Sequence, residues 1–82
     1  MNIIEIENIY KLIVDTKEKE QDKIDGIKAT YNLSELYKEV QEADLYTEPD
    51  TQFYLRVIGH QLELWEERGL ITLEEEKKAA IK

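Results

Sequence analysis

The spacing of apolar side chains constrains this chain more than any other feature. They recur at intervals of three and four residues, the period of a helix with one face turned to a core. Strand-like alternation is confined to Ile4-Glu5-Ile6-Glu7. Three glycines (26, 59 and 69) and Pro49 are the sole breakers in 82 residues, with no internal repeat and no low-complexity segment. The pattern predicts an all-α fold: a small bundle of three to four helices forming a single domain over residues 1–82. A chain of this length buries roughly 60–65% of its unfolded surface, so each apolar face counts.

On a helical wheel, Ile3, Ile6, Ile9, Tyr10, Leu12, Ile13 and Val14 share one broad arc, and Asn2 with Glu5 makes a capping box. The most polar run, residues 15–23, follows. Beyond it, Ile24, Ile27 and Tyr31 return to the wheel angles of Ile6, Ile9 and Ile13. The charged run can be a solvated loop, but that match in phase favours one long helix from about Ile3 to Tyr31, passing through the run with a bend near Gly26. At ~1.5 Å per residue it would span roughly 43 Å and outreach its partners.

Asn32 and Glu35 repeat the cap pattern, and Leu33, Leu36, Tyr37, Val40 and Ala43 form the stripe of a half-buried helix ending near Tyr46. A turn at Thr47-Glu48-Pro49-Asp50 leads into the most apolar helix, about Pro49 to Arg68. Its arc of Phe53, Tyr54, Leu55, Val57, Ile58, Leu62, Leu64 and Trp65 is wide enough to place it centrally. Gln52, Arg56, Gly59, His60, Glu63, Glu66 and Glu67 fill the polar arc. Gly69 suits a left-handed C′ position with Leu70 folding back on Trp65, and Thr72 with Glu75 caps a last helix. The stretch Trp65-Glu66-Glu67-Arg68-Gly69-Leu70-Ile71-Thr72 is similar to the short helical hairpin of bacterial SHOCT modules. Those modules carry an aromatic four residues after the Thr, where this chain has Glu76, and any capped helix–Gly–helix turn produces the same pattern.

The chemistry-bearing motifs of enzymes are missing. The absence of Cys removes thiol nucleophiles and thiolate metal sites, and His60 is the sole histidine. A di-metal bundle site needs Glu-x-x-His on two helices, which one histidine does not supply. There is no phosphate-cradling glycine loop and no HExxH. No enzyme, cofactor or metal is expected. No apolar run reaches the ~20 residues of a membrane helix. Glu5 and Glu7 stand where a secretory signal needs Lys or Arg, so a cytoplasmic location is expected.

Charge is the strongest functional indication. Eleven Lys and Arg face 19 Asp and Glu, a net of −8. Between Glu35 and Glu76 twelve acids stand against Lys38, Arg56 and Arg68. A field of that sign disfavours nucleic acid and anionic membranes and favours a basic protein surface. The expected function is therefore that of a small acidic interaction module: an inhibitor or adaptor docking on a basic surface of another protein, with phosphate mimicry as its most specific form. Compact acidic proteins of this kind are familiar among phage and mobile-element products, anti-restriction and anti-CRISPR inhibitors among them. The contact residues expected are Glu35, Glu39 and Glu42 on one helix, Glu63, Glu66 and Glu67 on the next, and Tyr46 as an aromatic anchor. The alternative is a homo-oligomeric structural or regulatory protein, such as a homodimer pairing its long helices. A third reading is a helix-turn-helix DNA-binding regulator using the Trp65–Ile81 hairpin, which the acidic total disfavours.

Overall fold

The structure, a computed structural model, describes residues 2–73. These fold as α1 (Ile3–Val14), α2 (Glu20–Thr30), α3 (Leu33–Gln41), a short 3-10 turn (Ala43–Leu45) and α4 (Pro49–Glu67), with no strand among the described residues. The expected all-α bundle is present. The helix expected after Thr72, and with it the Trp65–Ile81 hairpin, lies outside the described residues.

The long first helix is not formed. Asp15 leaves helical geometry at φ −67°, ψ 116°, and its carboxylate accepts the Lys17 N–H at 2.8 Å. This local turn competes with the backbone ladder where the chain has nothing apolar to bury. Lys23 then donates from Nζ to the Ile13 carbonyl at 2.7 Å, satisfying an acceptor at the exposed end of α1. α2 folds back antiparallel on α1, with Gly26 beside Leu12 and with Ile27, Thr30 and Tyr31 sharing a cleft with Asn8, Ile9 and Leu12. The phase match is real but has a different cause: Ile6, Ile9, Ile13, Ile24 and Ile27 are all buried in one core, which a hairpin achieves and a straight rod does not.

The other boundaries follow the capping chemistry. Asn2 accepts from the Glu5 N–H at 2.8 Å, and Glu5 accepts from the Asn2 N–H at 3.2 Å. Asn32 accepts from the Glu35 N–H at 3.1 Å. The third helix is shorter than expected. The Glu42 N–H is shared between the carbonyls of Lys38 and Glu39, and the chain tightens into the 3-10 turn before reaching Tyr46. At the end of α4, Gly69 has φ +77°, the Leu70 N–H reaches the Trp65 carbonyl at 2.9 Å, and the Gly69 N–H reaches that of Glu66 at 3.0 Å. That is the expected Schellman closure.

α4 is central. It packs against α1, α3 and the 3-10 turn, burying Thr51, Leu55, Ile58, Gly59, Leu62 and Trp65. Two parts of its wheel differ from expectation. Gly59, placed on the polar arc, is buried against Val40, and Phe53 and Leu64, placed on the apolar arc, are exposed at its margins. The three neighbours together cover less than the full width of the arc.

Gly26 needs no special geometry. A Cβ built there meets nothing nearer than Leu12 Cδ2 at 3.4 Å. Gly26→Ala is therefore expected to raise stability by about 0.5–1 kcal/mol through the cost of glycine in a helix. A higher urea midpoint at unchanged slope would register the gain.

Candidate functional site

Three of the expected contact residues meet in one place. Glu35, Glu39 and Glu42 come from α3 at helical spacing, and the Asn32 cap fixes where that helix begins. With Tyr31, Asn32, Thr30 and Lys38 they line an open cleft of about 380 Å³. Glu5 from the first turn of α1 adds a fourth carboxylate. Sequence reading assigned Glu5 to its cap alone, and no local signal could have placed it here, since the α1–α3 approach is a tertiary contact. Among the described residues of the lining, Lys38 is the one cation.

Glu39 is already engaged. The Tyr46 hydroxyl donates to Glu39 Oε2 at 2.6 Å, and the side-chain amide of Gln52 donates to the Tyr46 carbonyl. Tyr46 is half-buried and packs against the core. The hydrogen bond from Tyr46 holds the Glu39 carboxyl below its usual range. In return Glu39, followed by burial, pushes the Tyr46 hydroxyl from 10.0 up to about 12.

The signs follow from linkage. Glu39, depressed in the folded state, stabilises the fold above the ordinary carboxylate range, and that contribution fades as pH falls through its folded value. Tyr46, raised in the folded state, contributes fully below its ordinary 10.0 and loses that contribution as pH rises through about 12. Tyr46→Phe is expected to remove the alkaline limb from the pH profile of the urea midpoint and to shrink the acid one. A profile identical to that of the parent protein would show that this pair carries neither.

The α4 carboxylates do not form a second matching set. Glu63 is exposed and lies 3.4 Å from the Tyr37 hydroxyl of α3, which donates to it. Glu66 is half-buried and accepts the Leu73 N–H at 2.9 Å, tying the chain after α4 back onto the helix. Glu67 is exposed. Charge placed on Glu66 serves local structure first.

No protein-family model, curated protein or solved structure matches this chain. What it can do must therefore be argued from its own surfaces. Among the described residues no group of three His, Cys, Asp or Glu is arranged to hold a metal ion, and no helix is long and apolar enough to cross a membrane. Glu7 meets Lys11 at 3.9 Å and Glu20 meets Arg68 at 2.6 Å, both at the surface. The remaining chemistry of the α3 cleft is a dense anionic field with a wide mouth, suited to attracting cations from a distance.

Proposed function

We propose that this protein is an acidic interaction module that docks the α3 face on a basic surface of another protein, acting by occupancy as an inhibitor or adaptor. The observation that carries this reading is the convergence of Glu5, Glu35, Glu39 and Glu42 on one open cleft beside Lys38. A row of carboxylates at helical spacing on a short capped helix concentrates negative charge on one face, with Glu39 held in place by Tyr46. A surface built to receive phosphates accepts such a row in their place. Attraction of this type speeds encounter, and salt weakens it because the Debye length is about 10 Å at 0.1 M.

The test is charge reversal at the two exposed positions, Glu35→Lys with Glu42→Lys, leaving Glu39 to hold Tyr46. Affinity capture from host lysate at low and high salt is compared for parent and variant, with far-ultraviolet circular dichroism confirming the fold. The expected outcome is a set of basic proteins retained at low salt by the parent and bound at least about tenfold more weakly by the variant, a difference of about 1.4 kcal/mol. Equal capture by both proteins would refute the electrostatic reading, and so would salt-sensitive retention of the parent on DNA.

A further inference from the structure

The opposite side of α1 carries a second surface. Phe53 is 54% exposed, yet its ring is not loose. Its centroid lies 5.9 Å from that of Tyr10 at 61° and 6.2 Å from that of Tyr54 at 61°, while Tyr10 and Tyr54 lie 4.4 Å apart at 30°. Edge-on and tilted packing of this kind fixes ring positions before any partner arrives. Val14, one turn beyond Tyr10, is 45% exposed, and half-buried Val57, one turn beyond Phe53, continues the apolar surface along α4.

Two carboxylates lie beside the rings. Glu7 precedes Tyr10 by one turn of α1, and Asp50 precedes Tyr54 by one turn of α4. Burial first, and then the charges of Glu7 and Asp50, hold the Tyr54 hydroxyl above its ordinary value, so both carboxylates act on the aromatic cluster. Lys11 offsets Glu7 weakly, at 3.9 Å with both side chains well exposed. Exposed aromatic surface of this kind marks an interface, and ring faces flanked by carboxylates select a cation. A second copy of the chain would bring like charges together on two molecules of net charge −8.

We infer that the Tyr10–Phe53–Tyr54 surface docks a cationic amphipathic segment of a partner protein, which seats an arginine or lysine against the rings and lays apolar side chains along Val14 and Val57. Glu5 and Tyr10 are separated by five residues, about 140° around α1, so this surface is distinct from the α3 cleft and stands without it.

The test uses the full chain, isotopically labelled, titrated with a synthetic arginine–leucine amphipathic peptide and with an arginine–serine peptide of equal charge. Amide shifts are expected to concentrate at Tyr10, Val14, Phe53, Tyr54 and Val57, with the leucine-bearing peptide binding more tightly. Phe53→Ala, at an exposed position, should weaken binding by about tenfold or more. Glu7→Gln with Asp50→Asn should weaken it by a few-fold and flatten its salt dependence, an independent reading should Phe53→Ala disturb the fold. Glu35→Lys with Glu42→Lys should leave the pattern of shifts in place, which separates this surface from the α3 reading. Shifts confined to the α3 cleft, equal affinity for the two peptides, or full affinity in both surface variants would overturn the inference. So would a concentration-dependent dimer in sedimentation that Phe53→Ala abolishes, because a second copy would then be the occupant.

Discussion

Trp65→Ala is expected to cost about 3–5 kcal/mol, a large part of the 5–15 kcal/mol that stabilises a typical domain. The indole is 1% exposed and belongs to the same buried cluster as Ile71 and Leu73 beyond the helix and the isoleucines of α1 and α2. Truncation removes the largest side chain of that cluster and leaves a void its neighbours fill only in part. Ile71 and Leu73 belong to that cluster, so the chain after the helix should loosen as the core does. Urea unfolding followed by circular dichroism would measure the loss as a lower midpoint. Trp65→Phe is expected to cost less. It keeps an aromatic ring, and among the described residues the indole N–H has no hydrogen-bond partner to lose. Equal costs for the two substitutions would mean that ring volume is not what this site requires.

Gly59→Ala should produce the second large effect, opposite in sign to Gly26→Ala. Both glycines are helical, and alanine should gain about 1 kcal/mol of helix propensity at either. At Gly59, however, a new Cβ falls on Cγ1 of Val40, closer than real Cβ atoms approach. Valine is stiff about χ1 and cannot swing its methyl aside cheaply, so α3 must shift away from α4. Overpacking of this kind costs typically 1–3 kcal/mol, and here it opposes the propensity gain. The double variant decides the cause. With Val40→Ala the nearest retained atom is Cβ at 3.6 Å, an ordinary contact. Gly59→Ala should therefore be tolerated on the Val40→Ala background, with a favourable coupling of about 1–3 kcal/mol in the double-mutant cycle. Additive costs would exclude the close approach as the reason.

Much of the fold is legible in the sequence because capping and closure are local. Asn2, Asn32, Pro49 and Gly69 each mark a helix end within a few residues of where the backbone changes course. Phase was less decisive. Ile24 and Ile27 share the wheel angles of Ile6 and Ile9, but periodicity is blind to a reversal of the chain between them. The reversal rests on an aspartate turn and a lysine donating to a carbonyl ten residues away. Gly59 was misplaced because a wheel scores it as nonpolar at best, whereas its role comes from the missing side chain. Of the candidate surface, the α3 carboxylates follow from helix spacing alone. Glu5 beside them and the tie between Glu66 and Leu73 depend on contacts between segments and carry no local mark. The exposure of Phe53 was hidden for a related reason: hydrophobicity shows that a residue can be buried, and only the neighbours decide whether it is.

Among the described residues, α1 and α4 form the most extensive helix pair and stand first and last in the order of helices, with α2 and α3 strung between them. On a translating ribosome the first helix therefore emerges long before its main partner. It can fold back on α2 early, yet its share of the core stays open to solvent until the segment from Pro49 onward leaves the exit tunnel. Assembly of the bundle thus waits on the synthesis of α4, and a nascent chain stalled before that point would present its isoleucines to chaperones.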